Sequence, residues 1–256
     1  MRIVRFNHED TPKYGVIHGS DDDPKIAVIK GDPLYQQPEP TGEVVKLKDV
    51  RLLSPVIPRS KIVGAGKNFK ANVEEQADNS GIPIIFFKPN TAVIGNGDPI
   101  RLPKYSDLVS YEGEVAVVIS RMCKDVPENK VKDVIYGYTI ANDLTARDLL
   151  ESEPQWTRSK GFDGSCPLGP WIETDLDVNN LQIRTWVDGE EVQNGSTDLM
   201  IHDIPKLVSF ISSVCTLLPG DVILTGSPVG FGGLKPGQEV EVEVEGIGVL
   251  RNPIVA

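Results

Sequence analysis

The stretch Ser110-Tyr111-Glu112-Gly113-Glu114-Val115-Ala116-Val117-Val118-Ile119 constrains this chain more than any other. It is an apolar, strand-like run opened by two glutamates one residue apart. Side chains at i and i+2 of a strand point to the same face, so the run predicts two carboxylates side by side at the edge of a core. Like charges held that close raise one another's pKa unless a cation sits between them. Asp143 closes a second such run, Tyr136-Gly137-Tyr138-Thr139-Ile140-Ala141-Asn142, where a strand hands over to Leu144-Thr145-Ala146-Arg147-Asp148. Three carboxylates at strand ends suit a hard divalent ion, Mg²⁺ or Mn²⁺, with positions left for water and substrate. Spacing alone leaves a second reading open: two solvated edge glutamates and a turn aspartate.

The rest of the chain reads in the same β-rich idiom. Residues 1–50 form short β-prone runs (Arg2 to Phe6, Tyr14 to His18, Lys25 to Lys30) between turn clusters, and predict a small β-rich N-terminal domain. Pro33 to Gly42 reads as a linker or an extended connection. Residues 51–256 predict the larger body, with strands at Lys61 to Gly64, Ile84 to Lys88, Glu112 to Ile119, Tyr136 to Asn142, Gln182 to Val187, Asp221 to Thr225 and Glu239 to Val244. Helices are few. One starts after His202-Asp203 with Pro205 in its first turn, a second covers Leu144 to Ser152, and a third lies within Asn68 to Asn79. The fold class is mostly β with a few helices, that is, α+β.

Charge and cysteine usage exclude several function classes. The formal net charge is −11 and there is no basic run, which argues against nucleic acid or an anionic membrane as partner. No apolar stretch approaches the ~20 residues that span a bilayer, and the N-terminus is broken by polar residues too early for a signal peptide. Cys123, Cys166 and Cys215 are odd in number, widely spaced and free of CxxC pairing, and the three histidines (His8, His18, His202) lie far apart, so a disulfide framework and a zinc site are both disfavoured. The expectation is a soluble, cytoplasmic protein. Gly64-Ala65-Gly66 lacks the third glycine of a dinucleotide loop and is read as a tight turn after a strand.

Two cations stand out. Arg147 follows Asp143 by four residues, so both can project toward one region. Lys160 lies in a segment dense in turn formers, Trp156 to Pro170, where it can hold a substrate carboxylate or a developing enolate oxygen. A helix-surface ion pair for Arg147 and a solvated loop cation for Lys160 fit the same spacing. Thr225, at the end of a buried strand before Gly226, offers a hydroxyl to a carboxylate or simply satisfies the turn.

Taken together, Ser110-Tyr111-Glu112-Gly113-Glu114, Asn142 to Asp148, Lys160-Gly161-Phe162-Asp163, Pro167 to Ile172 and Leu224-Thr225-Gly226-Ser227-Pro228 resemble the fumarylacetoacetate hydrolase superfamily, over a span from about Leu52 to Pro253. The resemblance implies a mixed β-roll core, a homodimer and a bound Mg²⁺ or Mn²⁺. It implies Glu112, Glu114 and Asp143 as metal ligands, and Arg147, Lys160 and Thr225 as the lining of a pocket for a small 2-oxo or enol dicarboxylate. Bacterial members include oxaloacetate decarboxylases, acylpyruvate hydrolases and 2-hydroxyhepta-2,4-diene-1,7-dioate isomerases.

This chain departs from the family pattern twice. The family's segment after Gly-x-Asn-Tyr commonly carries a histidine followed three residues later by a glutamate. Here the histidine position reads Asn72, while Glu75 keeps the glutamate. Asparagine hydrogen-bonds but is no general base near neutral pH, so Glu75 is left as the proton-transfer residue. Keto–enol or double-bond isomerisation, or decarboxylation, is therefore expected ahead of hydrolysis of the acylpyruvate or fumarylacetoacetate type. A metal-dependent binding protein without turnover is the reading from another class. The second departure is Leu150, where decarboxylase- and acylpyruvase-like members often have glutamine.

Overall fold

The computed structural model describes residues 1–20, 22–70 and 81–256. The predicted helix within 68–79 falls largely outside that range.

A twelve-stranded mixed sheet organises the chain. Its path runs Pro40–Lys46, Lys25–Ile29, Thr11–His18, Arg2–His8, Cys166–Glu173, Ile135–Asn142, Gly113–Ile119, Val222–Leu224, Ile62–Gly66, Ile84–Lys88. Neighbours on this path are antiparallel except Val222–Leu224 and Ile62–Gly66, which are parallel. A five-stranded sheet that includes Gln182–Val187, Glu239–Val244 and Gly248–Val255 packs over one face. The structure is mostly β with few helices, as the sequence predicts.

Gly113–Ile119 is buried along its whole length, which explains why it reads as a continuous apolar run rather than an alternating one. Its two faces feed different cores. Val115, Val117 and Ile119 pack with Ile183, Val242, Leu250 and the helix Ile204–Val214. Ala116 and Val118 pack with Ile3, Ile62, Leu168 and Leu224. Glu112 and Glu114 share the parity of Ala116 and Val118, so the same alternation that builds the second core sets both carboxylates on its rim.

The N-terminal strands continue the main sheet, since Arg2 and Ile3 pair with Glu173 and Ile172. They also enclose a core of their own around Val4, Phe6, Ile26 and Val28.

Three stretches differ from expectation. Part of the predicted linker is strand Pro40–Lys46, which pairs with Lys25–Ile29. The helix predicted from Leu144 begins only at Arg147, because Thr145 and Ala146 are extended and pair with Val109 and Ser110. The turn-rich segment before Pro170 contains the helical turn Thr157–Lys160 and opens the interior strand Cys166–Glu173. Pro167 and Pro170 have no N–H to give the ladder, and the register with Ile135–Asn142 slips between Tyr138 and Ile140.

Candidate functional site

Strand register brings the three carboxylates together. Gly113 pairs with Asn142 and Glu114 with Ala141, so one step outward Glu112 lies opposite Asp143, whose N–H donates to the Glu112 carbonyl at 2.8 Å. Directly opposed residues share a face at roughly 5 Å between Cβ atoms. Glu112, Glu114 and Asp143 are all buried, and ligand atoms from the three lie within 4.8 Å of one another. The Asn142 side-chain oxygen accepts from the Glu112 N–H at 2.9 Å, which pins the first residue of the pair.

Three buried anions need counter-charge, because desolvating each ion costs several kcal/mol. Lys160 supplies the first part: its Nζ donates to Glu112 Oε2 and to Asp143 Oδ2, each at 2.6 Å. It is 5% exposed and stands over the Phe86 ring at 4.9 Å, with Trp156 edge-on behind that ring. Lys88 supplies the second, donating to Asp143 Oδ1 at 2.6 Å. Arg147 supplies the third. It pairs with Glu112 Oε1, donates to Ser110 Oγ at 3.0 Å and stacks on Phe231. The alternative of a plain Arg147–Asp143 helix pair gives way to a bridge across the site, since Arg147 opens the helix and pairs with Glu112.

The electrostatics divide the carboxylates. Burial pushes the Glu114 carboxyl well above its ordinary range, Asp143 and Glu112 add to this, and Lys160 with the Gly226 N–H only partly offsets it. Burial pushes Asp143 upward too, but Lys160 and Lys88 outweigh it and hold the group below its usual value. Burial would lower the Lys160 pKa, whereas Asp143 and Glu112 raise it, so its ammonium stays charged. Glu114 is the carboxylate that most wants a further cation.

The donor set fits a hard dication. It is all carboxylate oxygen, and the nearby Cys166 thiol is pushed up to about 12 by burial, so it brings no thiolate to favour a soft ion. Glu112, Glu114 and Asp143 are the residues that would hold the ion.

A cleft of about 240 Å³ opens onto this cluster. Glu112, Lys67, Arg147 and Lys160 reach its wall, Leu150 and Trp156 add apolar surface, and the loop Gly226 to Phe231 completes the lining. Thr225 does not play its expected part. It is fully buried, its hydroxyl donates to the Val115 carbonyl at 2.8 Å, and its own carbonyl accepts from Asn68 Nδ2 at 2.8 Å. The turn it anchors instead presents the Gly226 N–H to Glu114 Oε2 at 2.7 Å. Glu75 and Asn72 lie outside the described residues.

Sequence reasoning passed over Lys88, Phe86 and Asn68. Lys88 had a signal: it is a lone charge ending the apolar run Ile84-Ile85-Phe86-Phe87. Asn68 had none, because its bonds go to the backbone of Thr225 and His202, far away in sequence.

Comparison with known proteins follows the same lines. The profile of the family described as Fumarylacetoacetate (FAA) hydrolase C-terminal matches residues 61–255, and that described as Rv2993c-like, N-terminal matches residues 1–55. The crystal structure of 5-carboxymethyl-2-hydroxymuconate delta-isomerase from Mycobacterium smegmatis is 47% identical in sequence, with a TM-score of 0.93 over 100% of this chain and 99% of that one. Oxaloacetate tautomerase fahd2, mitochondrial, of Xenopus laevis is 37% identical over 225 residues, which cover 83% of this chain and 70% of the relative. Maleylpyruvate hydrolase from Sphingobium sp. SYK-6, solved in complex with manganese (II) ion and pyruvate, is 27% identical with a TM-score of 0.82 over 100% of this chain and 99% of that chain. No described helix is long and apolar enough to cross a membrane. With its family profile covering the acidic triad, both site lysines and the cleft loop, the chain belongs to the fumarylacetoacetate hydrolase family.

Proposed function

We propose that this chain is a Mg²⁺- or Mn²⁺-dependent enzyme that interconverts the keto and enol forms of a small 2-oxo dicarboxylate. The observation that carries the reading is the buried Glu112–Glu114–Asp143 cluster beside a cleft lined by three cations, Lys67, Arg147 and Lys160. The tautomerase and isomerase names of its relatives, and the manganese and pyruvate held by the maleylpyruvate hydrolase, support the reaction class and the metal.

When bound, the ion supplies a Lewis acid at the 2-oxo oxygen. The remaining work falls to the chain. Arg147, braced by Glu112, Ser110 and Phe231, takes the remote carboxylate in a bidentate grip. Lys160 keeps its proton and stands where negative charge develops on the 2-oxo oxygen. Glu75 accepts the proton that leaves the carbon next to the ketone. The C–H electron pair becomes the new carbon–carbon π bond, the carbonyl pair moves to oxygen, and a proton taken from solvent completes the enol while Glu75 later returns its own proton to solvent. Loss of carbon dioxide from a β-carboxylate would reach the same enolate, and hydrolysis would need an activated water that Asn72 does not supply.

The test is a titration of Mn²⁺ into metal-stripped protein with and without oxalate, followed by ultraviolet assay of enol formation from oxaloacetate and of carbon dioxide release. One ion per chain, tightened by oxalate, with enol exchange outrunning decarboxylation, is the expected result. Glu75→Gln should lower the exchange rate by about 10²-fold or more. Metal binding without any turnover would move the chain to a binding protein, and full metal affinity in Glu114→Ala would overturn the ligand assignment.

A further inference from the structure

Lys88 ends the edge strand Ile84–Lys88, and its side chain has no contact with solvent. The Asp143 carboxylate it meets is equally sealed, at 1% exposure. Among the described residues, besides Asp143 its Nζ reaches only the Leu144 carbonyl, at 3.4 Å. It therefore takes the Asp143 oxygen that Lys160 leaves free, and it is absent from the wall of the cleft. Such a lysine cannot contact a substrate there. A buried lysine is costly to keep, so what it does through Asp143 matters.

Its charge decides the balance of the site. Among the described residues, the cations within ion-pair distance of the three carboxylates are Lys88, Lys160 and Arg147. With all three acids ionised, as metal ligation requires, the cluster is already neutral. A dication leaves the cluster with two positive charges, which a dianionic ligand returns to neutrality, and Lys67 on the cleft wall adds a charge that is the same with or without Lys88. Without Lys88 the same metal-loaded site would hold only one surplus charge, which a monoanion suffices to cancel.

We propose that Lys88 is a positioning residue that sets ligand charge: its sealed ammonium weakens the site's hold on a bare dication and selects dianionic over monoanionic 2-oxo acids. This rests on the metal-dependent reading above. Fixed charges act on each ligand in proportion to that ligand's own charge. Loss of Lys88 must therefore tighten the dication while weakening the dianion, and weaken a monoanion less, which loss of packing or of a hydrogen bond would not do.

The experiment compares the wild-type chain with Lys88→Gln, which keeps a donor toward Asp143, and with Lys88→Met, which keeps the side-chain length. Mn²⁺ affinity is read by calorimetry and electron paramagnetic resonance. The affinities of the Mn²⁺-loaded protein for oxalate and for oxamate, its singly charged isostere, are then measured. In both variants Mn²⁺ should bind about tenfold tighter or more, oxalate should bind weaker by a similar factor, and oxamate should weaken by only about threefold. Weakening of all three alike, or no change in the oxalate-to-oxamate ratio, overturns the role of Lys88 and leaves the metal site standing. Failure of the wild-type protein to bind Mn²⁺ overturns the functional reading itself, and this inference with it.

Discussion

The Gly226 N–H donates to Glu114 Oε2 at 2.7 Å, and this bond joins the loop after strand Val222–Leu224 to the most electrostatically frustrated carboxylate of the site. Gly226 has φ +91°, and a Cβ placed there would stand 2.9 Å from Asn68 Cβ and 3.3 Å from the Ala65 carbonyl. Both the backbone conformation and the space call for glycine.

Gly226→Ala should accordingly cost about 1–3 kcal/mol of stability, which for a chain of this size lowers Tm by roughly 3–10 °C. It should also weaken Mn²⁺ binding, because a displaced turn no longer holds its N–H against Glu114 and the carboxylate loses its orientation. Calorimetric unfolding and an Mn²⁺ titration on the same sample check both effects. An unchanged Tm with unchanged affinity would mean that the turn relaxes freely and does not orient Glu114.

Lys160 makes a different demand. Its ammonium occupies Glu112 Oε2 and Asp143 Oδ2 at once and also reaches the cleft, so it would serve both the proposed ligand cage and the proposed substrate side. Lys160→Met should reduce turnover by about 10²-fold or more, the scale for loss of a preorganised charge at a developing oxyanion. Mn²⁺ should bind the variant at least as well, since two ligand oxygens are released. A variant that loses metal and turnover together would make Lys160 a structural strut instead.

Period-two alternation made Glu112 and Glu114 legible, because their shared face needs no tertiary information. Asp143 was legible as a strand end, but its place opposite Glu112 depends on register, which only the paired strands specify. Lys88 showed as a lone charge after an apolar run, but its partner was hidden for a related reason. Lys88 ends an edge strand, and sequence does not say which face of an edge strand is covered. Thr225 misled because a hydroxyl before a glycine turn suits a ligand and a backbone carbonyl equally, and Val115 takes it. Strand Cys166–Glu173 was masked by its prolines, which the interior of a sheet normally excludes.

Cys166 lies among these charges without joining their chemistry. It is fully buried, and burial pushes its thiol up to about 12, with Lys88 pulling the other way and Asp143 and Glu114 adding to the rise. At pH 8 the thiolate is then about one part in ten thousand. N-ethylmaleimide should label the half-buried Cys123 and Cys215 well before Cys166, and Cys166 should react only at the rate of global unfolding. Peptide mapping by mass spectrometry gives the three rates, and native-state labelling of Cys166 at the rate of the other two would refute its sealing.

Alkaline pH should loosen the seam between the N-terminal strands and the main body. Burial, then the charge of Asp32, pushes the Tyr14 phenol from its ordinary 10.0 up to about 12, and the same causes in the same order raise Tyr136 to about 12. Tyr14 lies on strand Thr11–His18 and Tyr136 on Ile135–Asn142, so the two phenols belong to the two sides of that seam. A phenol whose pKa is raised by folding favours the folded state below its unfolded value and loses that contribution as pH climbs to its folded value. Both contributions are therefore intact below pH 10 and vanish between pH 10 and 12. Tm should fall through that window while phenolate absorbance rises late, and the double variant Tyr14→Phe/Tyr136→Phe should show a shallower fall than the wild-type chain. Equal slopes in the two proteins would mean that other groups govern alkaline unfolding.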